Sequence, residues 1–340
     1  MDDGFYFLMC NYNNKGYKKT VKYEGIFSIK DNVVTRYSLG DQVIKNSRVY
    51  YLLPPTAEQS FIVPSHQNII KEISSHFEDI KYREQFVLKL QKSTLNAGEY
   101  YSNIYRPFIS NDFLEKQRGL PERIDISHTF FPDDVLFDDR EYLSRLNQLE
   151  LLVDELDSIF KNIEPVKMNM KSYGHRIRNI MMLACTEIDS MCKNILEVNG
   201  YQHEGMYKTN DYVKLKDVLK LDKYCINYIR YPEIGDISPF RLWNAIKPTK
   251  SLKWYDDYNA IKHDRITQFR LATLENAISS VAAVALLIIA QYGVNNNYWK
   301  EKLHKYFFIS KFPSWRYSDL YIPIIWEKGA SLKSVKYNFL

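Results

Sequence analysis

The spacing of apolar and polar positions divides the chain into a strand-rich first part and a helix-rich second part. In residues 1–65, short runs of β-branched and aromatic residues alternate with Asn, Gly, Asp and Pro, which is typical of strands joined by turns. The stretch IKDNVV predicts a hairpin turn between two of these strands. Residues 67–92 change to a helical period, with apolar side chains recurring on one face, and predict a helix.

A second, longer region of helical period begins near residue 138. Its apolar positions recur every three or four residues and predict long helices over 138–163, about 170–198 and about 268–292. The last of these is one of the most apolar segments of the chain. Long helices of this kind, with shorter pieces inserted at 201–250, predict a helical bundle.

These patterns predict an α+β chain in three parts. Residues 1–137 are expected to form a β-rich N-terminal domain with one or two helices, which serves sensing or binding. Residues 138–295 are expected to form a mainly α-helical bundle. The β-type composition of residues 296–340 predicts a short C-terminal tail, whose Trp, Phe and Ile content suggests that it packs on the bundle.

The charge of the chain is mildly basic and is concentrated in the bundle. The formal net charge is +5, which suits an anionic partner without establishing one. Residues 165–270 contain 18 Lys and Arg against 12 Asp and Glu, so this stretch carries the whole excess. An anionic partner would therefore be expected to meet the bundle.

The lack of signal-peptide features in the first residues and the spacing of the cysteines both predict a cytoplasmic protein. The first residues, MDDGFYFLMCNYNN, lack the basic start and long apolar run of a signal peptide. The uninterrupted apolar run at 281–290 is too short to cross a bilayer, so we expect a buried core helix. The four cysteines show no zinc-site spacing and are expected to be reduced thiols.

A charged segment, DDYNAIKHDR at 256–265, directly precedes the most apolar helical stretch. On a helix Asn259, Lys262 and His263 would share one face, whereas Arg265 would join them only if the helix bends, frays or reaches a second subunit. An amide, a His that titrates near neutrality and cations able to hold phosphate suit metal-free cleavage of RNA. No Gly-rich nucleotide loop or carboxylate cluster accompanies them, so no cofactor and no metal are expected. The alternative is a solvated surface whose charges pair with neighbouring acids.

The segment WYDDYNAIKHDR, followed by a long Ala/Leu/Ile-rich helix, resembles the HEPN superfamily of helical-bundle proteins. The preceding RIRNIMMLACTEIDSMCKNI also resembles HEPN-type sequences of bacterial defence and abortive-infection systems, and the resemblance covers about residues 140–295. It implies a dimeric, metal-independent endoribonuclease with a motif of Arg, a polar residue and then His. By that resemblance His263 matches the catalytic His and Asn259 matches the polar residue.

The motif departs from the family at one position, because Tyr258 stands where the resemblance expects Arg. Lys262 or Arg265 is then the candidate to supply the missing charge. Glu187, Tyr258 and Arg176 are candidate supporting residues. Glu187 and Arg176 lie one position apart around the second long helix, and Glu187 either orients His263 or Lys262, or pairs with Arg176. A formal match to the Arg motif also occurs in RIDISH, residues 123–128, which is interpreted as coincidence.

The leading hypothesis is an RNA-cleaving HEPN-like effector, in which His263 is the acid or base, Arg265 and Lys262 stabilise the phosphorane and Asn259 positions the RNA. Its expected partners are RNA, a second copy through the bundle and an unknown trigger for the N-terminal domain, with phage defence as a setting. The competing hypothesis is a non-catalytic dimerisation and binding module. A third is a scaffold that blocks the nuclease of another protein.

Overall fold

The computed structural model describes residues 2–12, 20–44, 47–64, 68–81, 87–109, 124–125, 139–294 and 302–339. The chain forms two compact units. The first comprises Met1–Tyr100, Arg106–Val135 and Ser314–Ser334; the second comprises Tyr101–Tyr105, Leu136–Pro313 and Val335–Leu340. The predicted α+β class is confirmed, with an antiparallel sheet near the N-terminus, helices after it and short strands toward the C-terminus.

The strands and helices have the following bounds. The strands are β1 Gly4–Tyr12, β2 Thr20–Lys30, β3 Val33–Tyr37, β4 Leu39–Ile44, β5 Ser47–Leu52, β6 Ser60–Ile62, β7 Val87–Lys92, β8 Glu99–Tyr101, β9 Ile124–Asp125, β10 Cys225–Tyr228, β11 Phe307–Lys311, β12 Ser314–Trp315 and β13 Lys333–Val335. The α-helices are α1 Ile69–His76, α2 Glu78–Lys81, α3 Asp139–Phe160, α4 His175–Val198, α5 Thr209–Tyr212, α6 Leu215–Val218, α7 Lys253–His263, α8 Arg265–Gln268 and α9 Leu274–Tyr292.

The first unit is built on a five-stranded antiparallel sheet in the order β6-β3-β2-β1-β7. Asp31 and Asn32 both have positive φ, 49° and 64°, and make the predicted hairpin turn between β2 and β3. Side chains alternate along each strand, and those on one face of the sheet pack with α1 and α2 in an apolar core. The buried residues of that core are Tyr6, Leu8, Phe27, Ile29, Val34, Val63, Ile73 and Ile80.

The helix predicted over residues 67–92 was wrong in its last part. The helical period ends with α2, and Val87–Lys92 is strand β7, paired antiparallel with β1 from Tyr6↔Lys92 to Asn11↔Val87. The alternation of VLKLQK fits a strand as well as a helix. The edge of β1 offers backbone hydrogen bonds that a helix there could not use, and this decides between the two.

The second unit has α3, α4 and α9 as its long helices, as predicted. The rings of Tyr142 on α3 and Tyr292 on α9 lie 4.6 Å apart. By length and composition α9 could cross a membrane, but 89% of its most apolar stretch is buried inside the protein. Burial of this kind is typical of a core helix.

The insertion between α4 and α7 is held by a short sheet. Strand β10 pairs antiparallel with β11, and Ile226 of β10 also exchanges two 2.9 Å backbone hydrogen bonds with Ile237. The segment predicted as a C-terminal tail thus contributes β11 to the second unit. Its later part, Ser314–Ser334, belongs to the first unit, where Ser318 and Ile322 accept backbone hydrogen bonds from Thr94 and Gly98 at 2.9 Å.

Candidate functional site

The segment DDYNAIKHDR lies where one helix ends and the next begins. α7 ends at His263, because Asp264 has φ −138° and ψ 85° and leaves the helical path. The Asp264 carboxylate accepts a hydrogen bond from the backbone N–H of Thr267 at 3.0 Å and a second from the Thr267 hydroxyl, so it caps α8. Arg265 therefore starts a new helix and does not continue around α7. The helix bends at this point, which was one of the conditions for Arg265 to join Asn259, Lys262 and His263.

The four residues predicted to be catalytic lie on or beside this junction. Asn259 is half-buried one turn before His263, while Lys262, His263 and Arg265 are exposed. Asp264, which stands between His263 and Arg265 in the sequence, caps α8, and the hydrogen bonds it accepts there hold its pKa below its usual value. Among the residues that the structure describes, neither His263 nor Arg265 forms an ion pair. Arg265 therefore lies exposed at the surface without a direct ion-pair partner among these residues.

A carboxylate of α4, Asp189, anchors the inner side of α7. The Tyr255 hydroxyl donates a hydrogen bond of 2.5 Å to Oδ1 of Asp189. The Lys262 ammonium lies 5.4 Å from the centre of the Tyr258 ring and acts on Asp189 electrostatically. Burial raises the pKa of Asp189, and this effect outweighs the opposing effects of the Tyr255 hydrogen bond, the Lys262 charge and the Tyr258 hydroxyl.

Tyr258, which replaces the Arg of the resemblance, is a core residue. Its side chain is only 2% exposed, and its ring lies 5.3 Å from that of Tyr255. Burial and the nearby Asp189 carboxylate both raise the pKa of Tyr258. The side chain at this position is therefore packed between α4 and α7 and is not presented to a ligand.

Two of the three predicted supporting residues, Glu187 and Arg176, bind α3. The Glu187 carboxylate accepts a 2.5 Å hydrogen bond from Arg145, and Arg145 also contacts Ser190 at 3.2 Å. Arg176 forms an ion pair of 2.9 Å with Glu155. Glu187 thus pairs neither with Arg176 nor, within the described ranges, with His263 or Lys262. Both residues tie α4 to α3.

The inward acid of the motif, Asp257, links α7 to α9. Its carboxylate accepts hydrogen bonds from Asn276 at 2.7 Å and from Lys253 at 2.5 Å. Asn276 also donates to the carbonyl of Leu271 at 2.9 Å, so it fixes the connection between the two helices. A buried carboxylate needs such partners to remain charged. The polar residues of the motif therefore have structural roles on one side of α7 and exposed positions on the other.

The start of α4 lies at the same end of the helical unit. The His175 ring is 4.7 Å from the ring of Phe269, which follows α8, and the Tyr173 ring is 5.8 Å from it. Arg178 lies one turn further along α4, and Arg270 is exposed next to Phe269. This end of the unit consequently carries basic residues from two parts of the chain.

Sequence reasoning missed Asp189. It lies between Ile188 and Met191 on the apolar side of α4, one turn after Cys185, where a charged residue is unexpected. An acid at such a position predicts a buried polar partner, and the spacing of Tyr255, Tyr258 and Lys262 at three and four residues was the matching signal on α7. The formal motif RIDISH could not be placed, since Arg123 and His128 lie outside the described residues.

No group of three or more His, Cys, Asp and Glu in the described part of the chain is arranged to hold a metal ion. Comparison with models of protein families, with curated proteins and with solved structures finds no match to the chain.

Proposed function

We propose that the protein is a HEPN-like, metal-independent endoribonuclease that acts in the cytoplasm. The observation that carries the proposal is the exposed pair His263 and Arg265 at the α7–α8 junction, neither of which forms an ion pair within the described residues. The resemblance of this segment to defence-associated HEPN sequences extends the proposal to an effector of phage defence, with the first unit responding to a trigger.

The chemistry is an intramolecular transfer at phosphorus. The RNA 2′-oxygen forms a bond to the adjacent phosphorus as the bond from phosphorus to the 5′-oxygen breaks, which leaves a cyclic phosphate and a 5′-hydroxyl. His263 accepts the 2′-hydroxyl proton or protonates the 5′-oxygen. Arg265 stabilises the charge that builds on the phosphoryl oxygens, with Lys262 in a secondary role and Asn259 holding the RNA.

A second copy of the chain completes the proposed site. One exposed imidazole supplies either an acid or a base, whereas the reaction needs both. A homodimer that brings two α7–α8 junctions together provides two His263 side chains and two Arg265 side chains. This arrangement also explains how Arg265 reaches the reaction although it stands outside α7.

Cleavage of RNA in EDTA by the purified protein tests the proposal. We expect RNA products that end in cyclic phosphate, and we expect His263→Ala to lower the rate by roughly 10²–10⁴-fold, the usual contribution of a general acid or base. His304→Ala is the matched control, because His304 is also exposed in the second unit. RNA that stays intact at high protein concentration, or equal loss in both variants, would contradict the proposal.

The burial of Tyr258 favours a second candidate function, a non-catalytic dimerisation and binding module. A core tyrosine at the motif position removes the cation that the resemblance expects at the site. In this alternative the basic junction binds RNA or an acidic partner without cleaving it. Binding of labelled RNA that is weakened by Arg265→Ala, in a protein that leaves the RNA intact, would support the module.

A further inference from the structure

A cavity of about 490 Å³ opens in the second unit, away from the residues of the α7–α8 junction. Its floor is apolar and includes Ile237, Leu252, Trp254 and Ile278, all at most 9% exposed. Its rim includes Leu242, whose side chain is 74% exposed. Cavities of roughly 300–1,000 Å³ with an apolar lining and a few polar groups are typical of sites for small ligands.

The walls of the cavity are fixed by hydrogen bonds. The indole N–H of Trp254 donates to the carbonyl of Pro239 at 3.0 Å. The backbone N–H and C=O groups of Ile237 are both hydrogen-bonded to the backbone of Ile226. On the other wall, the backbone N–H of Glu275 donates to the carbonyl of Met170 at 3.0 Å. A ligand would therefore enter a preformed space and would lose little affinity to ordering of the protein.

The charges around the cavity favour a cation. Two of the charged lining residues are neutralised by ion pairs, Lys253 with Asp257 and Glu275 with Lys171. Asp236 accepts hydrogen bonds from Asn227 and Ser310 at 2.8 and 3.1 Å, which lower its pKa and keep it ionised. Those two partners are neutral and leave the negative charge in place, while the charge of Lys311, which also acts on Asp236, lies outside the lining of the cavity.

The remaining lining charges are Glu233 and Lys167. Both side chains are exposed, and among the described residues neither forms an ion pair, with each other or with another group. Among the lining residues outside ion pairs, two carboxylates, Glu233 and Asp236, thus oppose one ammonium group, that of Lys167. Glu233 and Asp236 are three residues apart on one wall, so their negative charges act on the same side of the cavity.

We propose that this cavity binds an amphipathic organic cation, with its ammonium or guanidinium group at Glu233 and Asp236 and its apolar body against Trp254 and Leu242. The ligand chemistry is that of a small primary amine or of a Lys or Arg side chain in a peptide. The proposal concerns a different part of the second unit from the RNA-cleaving site and stands whether or not the protein cleaves RNA.

Ligand-observed NMR on the full chain tests the proposal with two probes of matched size, 2-phenylethylamine and 3-phenylpropionate. We expect saturable binding of the amine and much weaker binding of the carboxylate. Glu233→Gln should weaken amine binding about three- to fivefold, the effect of one exposed ion pair, and Glu233→Lys should weaken it further. Leu242→Ser should also weaken it, through loss of apolar contact.

Glu204→Gln is the control, because Glu204 is an exposed acid of the same unit outside the cavity. Equal binding of both probes, no saturable binding of the amine, or equal effects of the Glu233 and Glu204 variants would overturn the proposal. The peptide acetyl-Leu-Lys-Leu-amide separates the two sources of the cation. Tighter binding of the peptide than of the amine assigns the cavity to a protein side chain, and the reverse order assigns it to a free amine.

Discussion

Asp189 is the residue of α4 that interacts with the inner side of α7, beneath the candidate site. Asp189 is half-buried, and its contact with the neutral hydroxyl of Tyr255, at 2.5 Å, supplies no opposite charge. Lys262 reaches it only through space, from above the Tyr258 ring. Lys262 is therefore partly engaged with the core, and Arg265 is the better candidate for the charge that Tyr258 does not supply.

The raised pKa of Asp189 predicts a dependence of stability on pH. Because the folded protein binds this proton more tightly than the unfolded chain, protonation of Asp189 favours folding. The penalty of the charged form is fully present above the raised pKa. It is lost as the pH falls toward the ordinary Asp value of about 4. Relative to Asp189→Asn, the wild-type free energy of unfolding should therefore rise as the pH falls through this window.

Urea denaturation of both proteins at about pH 7 and about pH 4 measures this difference. Asp217→Asn is the control, because the Asp217 side chain is 90% exposed and loses the same charge without burial. The difference between wild type and Asp189→Asn should become more favourable to wild type at the lower pH, while the Asp217 difference stays constant. Parallel behaviour of the two variants would show that burial of Asp189 does not penalise its charge.

The last long helix of the second unit, α9, is terminated by a glycine. α9 ends at Tyr292 and is capped by Gly293, which has φ +77° and ψ −174°, a backbone conformation almost restricted to glycine. A Cβ atom at this position would lie 2.6 Å from the Tyr105 ring. The end of α9 thus depends on glycine both for its backbone and for space.

Gly293→Ala is expected to lower the free energy of unfolding by about 2 kcal/mol or more, the combined effect of backbone strain and overlap with Tyr105. Gly205→Ala separates the two effects, because Gly205 has φ +91° but open space around its would-be Cβ atom. That control should cost about 1 kcal/mol. Thermal and urea unfolding measure both, and equal losses would mean that the contact with Tyr105 contributes nothing.

The long helices could be predicted from the sequence because their apolar period is carried by many residues. The same period misled at Val87–Lys92, where a six-residue stretch fits two periods and pairing with β1 decides. The polar junction was predicted as a group of residues, but its connections were not. The pairing of Glu187 with Arg145 joins residues 42 positions apart, and nothing in the local pattern of either helix selects that partner.

At the scale of the whole molecule, the excess positive charge and the sheet belong to different units. The basic stretch 165–270 lies in the second, helical unit, whereas the five-stranded sheet and its core lie in the first unit. This separation fits the proposal that one unit responds to a trigger while the other binds RNA. The proposal then requires a second copy to complete the site in the helical unit.

The exposed apolar residue next to the candidate site predicts where that second copy binds. Ile266 follows Arg265 in α8 and is 90% exposed, so a dimer that joins two junctions would bury it. Burial of such a side chain contributes about 1.5–3 kcal/mol, and a charge in its place would oppose association. Ile266→Glu should therefore shift the protein from dimer to monomer in light scattering and lower RNA cleavage in parallel.

Ile246→Glu is a closely matched control, because Ile246 is 89% exposed elsewhere in the same unit, and it should change neither property. A monomeric wild type that still cleaves RNA, or a dimer that only Ile246→Glu disrupts, would remove the α8 surface from the proposed site and leave His263 to act within one copy.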